Sequence, residues 1–299
     1  RSFLQQATND FWANANDANR KVVFSPLSTL SSGYDSPAAT VFAKSVGCKD
    51  VLILRRYSLK SHPLDYGGPI AKQLGLQTIE HDRWKYLEMK GCPEAEFLAT
   101  LPSGFESNWV SFEPDVPQKL LFTGYGGTLL DRNADYGPDF ARSDLSGLSI
   151  SEFRMKTGFI LLHLHFVGVP SYHSIRRIST SPEMDPWSVS DSYDRPIARR
   201  IVEEAGVDRH LFGQQKHGSV VRFSLPGVAK EEEVYEPRSR GTLWGPLTAQ
   251  TREEFSEYCE KQTGGKEYVS RSTNRQRGLM ACWSVEKIRH RYAEALLRD

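Results

Sequence analysis

Six consecutive residues, Ser31-Ser32-Gly33-Tyr34-Asp35-Ser36, hold the densest chemistry in this 299-residue chain. A β-prone run, Lys21 to Ser28, precedes them, and a helix-prone segment, Pro37 to Val46, follows. Strand, small-residue turn and helix together make an anion cradle, because several backbone N–H groups and a helix N-terminus then converge on one point. Ser32 and Gly33 let the backbone approach a phosphate, and Ser31 and Ser36 add hydroxyl donors. Asp35 belongs beside an anion only if a cation shares the place, so its expected role is a Mg²⁺ contact next to a polyphosphate. The block is not a Walker A loop, since no Gly-Lys-Ser/Thr follows. The competing reading is an ordinary strand-to-helix turn capped by Ser or Asp.

These residues need a scaffold, and the rest of the chain supplies its signals. Asp50 to Arg56 is a continuous apolar strand of the sort buried in a parallel sheet. Gly67 to Leu74 reads as a short helix with Pro69 in its first turn and Gly75 as its stop. Gln77 to His81 and Lys119 to Thr123 read as strands three and four. The fourth runs straight into Gly124-Tyr125-Gly126-Gly127. Alternating strands and helices imply an α/β fold: a parallel twisted sheet with helices on both faces. Ligands of such sheets sit at the carboxyl ends of the strands, where both small-residue turns lie. Trp84 to Val116 reads as an excursion over the sheet edge, with a helix near Glu94 to Ala99. Leu145 to Gly158 looks helical, and Ile160 to Val169 strand-like. Asp194 to Ala205 carries a strong helix signal, with Asp194 as cap and Pro196 in the first turn; a solvated face for Arg195, Arg199 and Arg200 is favoured over the alternative that they and Asp194 reach substrate. The expected organisation is a nucleotide-binding domain over 1–225, a charged linker over 226–246, and a helical C-terminal appendage over 247–299, with helices around Glu253–Gln262 and Ser284–Leu297.

Residues 31–36 resemble the PP-loop of the ATP pyrophosphatase superfamily, Ser-Gly-Gly-x-Asp-Ser, with Ser32 in place of the first glycine. The order of elements over roughly residues 20 to 220 resembles the synthetase domain of asparagine synthetase, without its glutaminase domain. That resemblance implies an adenine nucleotide alpha-hydrolase-like fold and an AMP-forming ligase, in which ATP and Mg²⁺ adenylate a carboxylate and an amine donor then forms the amide. It implies that Ser31, Ser32, Gly33, Asp35 and Ser36 hold the phosphates, with Asp35 on the metal, and that Leu54 and Arg55 flank adenine. It implies too that Gly124 and Gly126 let the second loop approach the nucleotide or acyl group. By the same resemblance Lys216 is expected to neutralise pyrophosphate, and Tyr125 joins it among the catalytic candidates. The second loop departs from the family pattern Ser-Gly-x-Gly-x-Asp-Glu: Thr128 and Leu129 stand where Asp and Glu are expected, and Asp131 is a substitute acid. The alternatives are a PP-loop enzyme that adenylates a nucleobase in tRNA, and a nucleotide-binding scaffold with a degenerate site.

Bulk properties narrow the partners. A formal net charge of +1 draws the chain toward neither nucleic acid nor membrane. The longest apolar run, Gly158 to Pro170, is too short to span a bilayer and contains His163 and His165. Cys48, Cys92, Cys259 and Cys282 form no CxxC pair, so neither a zinc site nor a disulfide framework is expected, and a reducing cytoplasm fits. His163, His165 and His173 are the one histidine cluster; with no acidic or thiol partner at ligand spacing, core or cleft roles outweigh metal binding. The asparagine synthetase resemblance would place a terminal cysteine nucleophile in a glutaminase domain, but no cysteine precedes Cys48, so the amine is expected to arrive free, from a protein partner, or from the substrate itself. The chain begins at Arg1 and is expected to be trimmed or part of something longer.

Overall fold

The computed structural model describes residues 1–55, 65–101, 104, 106–134, 150–189, 192–214, 221–223, 243–245, 247–264 and 273–296. The chain divides into two compact units that interleave along the sequence. The first comprises 1–82, 114–143 and 158–216. The second comprises 83–113, 144–157 and 217–299. The sequence alone groups 83–113 with the nucleotide-binding domain; in the fold that excursion belongs with the C-terminal helices.

The first unit is an α/β fold built on a five-stranded, wholly parallel sheet. Its strands are β1 (Ser25–Thr29), β2 (Asp50–Arg55), β3 (Gln77–Asp82), β4 (Lys119–Thr123) and β5 (Ile160–His163), in the order β3-β2-β1-β4-β5. Val51, Leu52 and Ile53 are all buried, as are Leu120, Leu121 and Phe122. Successive strand residues point to opposite faces, so both faces of the sheet are covered. Its helices are α1 (Ser2–Ala15), α2 (Asp35–Ser45), α3 (Gly68–Leu74), α6 (Tyr172–Ser179) and α7 (Pro196–Glu203). Ala38, Phe42, Ile70, Ala198, Ile201 and Val202 join the strand residues in one core. Strand order reverses between β1 and β4, and their carboxyl ends form the crevice where ligands of open α/β sheets bind.

Local differences from the sequence reading have physical causes. Strand one starts at Ser25, not Lys21, because the Phe24 amide is spent on the Ala15 carbonyl at the end of α1 (3.1 Å). Helix α2 starts at Asp35, where a carboxylate suits the first turn. The run from Ile160 leaves the sheet after His163 and continues as 3-10 turns over Leu164–Ser171. Pro170 has no N–H for a ladder, and a Cβ on Gly168 would stand 2.6 Å from Ile175 Cδ1.

The second unit holds α4 (Ala95–Thr100), α5 (Ser151–Thr157), α8 (Ala249–Thr263) and α9 (Thr273–Leu296). A two-stranded parallel ladder also belongs to it, β6 (Val221–Phe223) with β7 (Leu243–Gly245), and β7 falls inside the stretch expected to be a linker. Helix α4 packs on α5 and α9, with the Phe97 and Phe153 rings stacked at 5.0 Å. Buried Glu94 takes the Thr248 amide at the start of α8 (2.5 Å). Arg291 ties α9 to Glu96 and to the Cys92 carbonyl (2.6 Å). Among the described residues no helix is long and apolar enough to cross a membrane.

Candidate functional site

Register brings the two small-residue turns together. Ser28 pairs with Phe122, so β1 and β4 end side by side and release their loops at the same level. The second loop then lies against the first turn of α2 with no space for a side chain. A Cβ on Gly124 would stand 2.5 Å from Ser36 N, and one on Gly127 would stand 2.1 Å from Asp35 Oδ1. Gly126 adopts φ 82°, a left-handed turn that suits glycine. Gly213, also left-handed at φ 64°, donates its N–H to the Ser32 carbonyl (2.8 Å), which ties it to the loop. Lys216 itself lies outside the described residues.

Within 31–36 the amides meet side-chain acceptors. Ser31 N donates to Ser36 Oγ (2.9 Å), Ser32 N to Asp65 Oδ1 (2.9 Å), Gly33 N to Ser31 Oγ (3.4 Å) and Tyr34 N to the Tyr193 hydroxyl (3.3 Å). Ser31 and Ser36 share a further bond between hydroxyls at 2.9 Å. One carboxylate and three hydroxyls thus accept from the amides of Ser31, Ser32, Gly33 and Tyr34.

The electrostatic centre is Arg195, at the start of α7 and 2% exposed. Its Nη1 donates to Asp35 Oδ2, its Nε lies 3.5 Å from Asp131 Oδ2, and its guanidinium sits 5.0 Å from the centre of the Tyr193 ring. Burial works against its charge, but Asp35, Tyr193 and Asp131 outweigh burial and hold it protonated more firmly than a free arginine. Stripping one partner from such a buried pair costs about 3–5 kcal/mol. Arg199, one turn on and also buried, donates to the Tyr34 hydroxyl (2.5 Å) and lies over the Tyr34 and Phe212 rings. The α7 arginines at 195 and 199 therefore face inward, not the solvated face expected from sequence. Asp194 does not cap α7 either; its carboxylate accepts from Ser188 Oγ and the Val189 amide (3.3 Å).

The remaining expected site residues fall at the same end of the sheet. Leu54 and Arg55 close β2, where Arg55 pairs with Glu80 and Glu80 accepts from Tyr66 (2.7 Å). Tyr125 lies edge-on to the His163 ring at 4.7 Å, and His163 Nδ1 meets Thr123 Oγ1 at 2.6 Å. His165, on the next turn, donates from Nε2 to the Asp35 carbonyl (3.0 Å), and burial lowers its pKa. His163 and His165 thus meet different partners, one on β4 and one at the start of α2. Among the described residues no group of three or more His, Cys, Asp or Glu side chains is placed to hold a metal. Leu129, at the position of an expected acid, is buried. Asp65, Tyr193 and His165 were not visible as members of this site; the one local hint is that Arg195 and Arg199 lie four apart, on the stripe that carries Val202.

Mg²⁺ does not fit at Asp35 in this arrangement. The ion demands near-octahedral oxygen coordination at about 2.0–2.1 Å and keeps several waters. Here a buried guanidinium holds Oδ2 and the Gly127 backbone abuts Oδ1.

No protein-family model matches the chain, and no curated protein matches it. Among solved structures it is similar to a predicted subunit of a tRNA methyltransferase from Methanocaldococcus jannaschii. That similarity runs at 17% identity over 64% of this chain and 93% of that one, with a TM-score of 0.25.

Proposed function

We propose that the first unit binds ATP at the junction of the β1 and β4 loops and uses it to activate a carboxylate for amide formation. The reading is carried by one observation: Gly124 and Gly127 bring the second loop into backbone contact with the first turn of α2, where the serines of 31–36 gather. In the proposed reaction a carboxylate oxygen attacks the α-phosphorus and the bond to the β-phosphate oxygen breaks, releasing pyrophosphate. An amine then attacks the acyl carbon, and AMP leaves with the electron pair. The protein's part is to hold the phosphates with the Ser31, Ser32 and Ser36 donors and to neutralise the departing charge, a role proposed for Lys216. Leu54, Arg55 and Tyr125 are proposed to line the adenine and acyl positions.

A second reading, nucleotide binding without turnover, is favoured by a specific observation: Leu129 is a core residue where the family's acid would stand, and Asp131 is already engaged with Arg195. Pyrophosphate release on mixing ATP with a panel of carboxylates and ammonia tests the ligase. Release that requires tRNA moves the chemistry to the nucleobase-adenylating alternative. ATP binding with no release under either condition selects the scaffold, and absence of ATP binding defeats all three.

A further inference from the structure

Two carboxylates arrive at the loop junction from different strands: Asp35 after β1, and Asp131 after the 3-10 turn Gly127–Leu130 that follows β4. Both reach the same guanidinium. Arg195 bonds to Asp35 through Nη1, and its Nε lies 3.5 Å from Asp131 Oδ2, which is an ion pair but too long for a hydrogen bond. That Nε is fully buried and makes no hydrogen bond among the described residues. A buried donor that makes an ion pair but no hydrogen bond, beside an anion cradle, retains the capacity for a ligand acceptor. The two acids would repel a phosphate if left alone, so something must offset them. In this fold a side chain does so, held by α7 and by the Tyr193 ring at 5.0 Å.

We propose that Arg195 is the resident cation of the loop junction, standing in for a divalent metal at Asp35 and presenting Nε to a phosphate oxygen, so that this protein binds ATP without Mg²⁺. The inference rests on the nucleotide-binding reading above. Arg195 acts as a binding residue here: it neutralises Asp35 and Asp131 at once, where a metal would require both acids to turn away from it.

The experiment is titration calorimetry of the full chain with ATP, in EDTA and in excess Mg²⁺, together with melting curves with Mg²⁺ alone. The expected result is an ATP affinity equal within about threefold in the two buffers, and a melting temperature that Mg²⁺ alone does not move. Affinity more than about tenfold higher with Mg²⁺, or a melting temperature raised by Mg²⁺ alone, overturns the role of Arg195 while leaving nucleotide binding intact. No ATP binding in either buffer removes the nucleotide-binding reading and this inference with it. Arg195→Gln leaves both acids uncompensated; Mg²⁺ should then raise its melting temperature, and a variant insensitive to Mg²⁺ counts against the proposal. If Arg195→Gln does not fold in either buffer, Asp35→Asn/Arg195→Gln removes one charge of each sign. That variant should bind ATP at least about tenfold more weakly than wild type in EDTA, and unchanged affinity overturns the proposal.

Discussion

Asp65 Oδ1 accepts two hydrogen bonds from Ser32, one from the amide at 2.9 Å and one from the hydroxyl at 3.0 Å. A 5%-exposed carboxylate thus occupies donors that the loop would offer to a phosphate. Asn at this position keeps an Oδ1 acceptor for Ser32 and removes the negative charge. Asp65→Asn is therefore expected to fold normally and to bind pyrophosphate more tightly, by about tenfold, or ~1.4 kcal/mol. Calorimetry with pyrophosphate checks this; affinity that is unchanged or weaker means the anion does not meet Ser32.

Gly127 and Asp35 are the tightest approach at the junction: a Cβ on Gly127 would stand 2.1 Å from both Cγ and Oδ1 of Asp35. Gly127→Ala must push the second loop off α2 or turn Asp35 away from Arg195. A loss of about 1–3 kcal/mol is expected, read as a melting temperature several degrees lower. Gly278→Ala is the contrasting substitution. It lies in α9 with nothing within 4 Å of the added carbon, so it should gain about 0.5–1 kcal/mol from helix propensity. Equal melting temperatures for the two variants would show that the junction yields freely.

Much of this scaffold could be read locally, because local signals specify it. The Lys119–Thr123 strand is found at its expected limits, since a short apolar run ended by glycines has one sensible reading. That 31–36 and 124–127 lie at one edge of the sheet follows from parallel topology, but that they meet depends on β1 and β4 being neighbours. What could not be read are contacts that only packing creates. Arg195 and Asp35 are 160 positions apart. An Asp-Arg-Pro start followed by a second arginine four residues on looks like any capped surface helix until Tyr34 and Asp35 are placed beneath it. Ile160–Val169 deceived for the opposite reason: its apolar character is real, but Gly168 and Pro170 turn the chain into 3-10 geometry.

His165 makes stability at the junction depend on pH. Burial, the largest influence, lowers its pKa, and the nearby Asp35 only partly restores it. The folded chain then holds fewer protons on this ring than the unfolded chain does below an ordinary value near 6.5. Stability from this group is fully present above that value and is lost as pH falls toward the depressed folded pKa. His165→Gln cannot take up that proton, and its amide can still donate to the Asp35 carbonyl. Urea unfolding from about pH 7.5 down to about pH 5 should show wild type losing more stability than the variant. Parallel curves would remove His165 as the source.

Glu94 carries the opposite sign in the second unit. It is completely buried, with Oε1 on the Thr248 amide at 2.5 Å and Oε2 on the Thr251 hydroxyl at 2.7 Å. Burial raises its pKa, and the Thr248 and Thr251 donors offset only part of the rise. The folded chain therefore holds this proton more tightly than the unfolded chain, whose value is near 4.5. The stability it contributes is complete below that value and is lost as pH climbs through the raised folded pKa, because the ionised form must then sit in the core. Glu94→Gln stays neutral at every pH, accepts the Thr248 amide through its carbonyl, and donates to a threonine hydroxyl that can rotate to receive it. Relative to wild type, the variant should gain stability as pH rises from about 4.5 to about 8, measured by urea unfolding. A difference that stays flat across that range would mean Glu94 is ionised in the fold at no cost, with the start of α8 supplying more stabilisation than its hydrogen bonds account for.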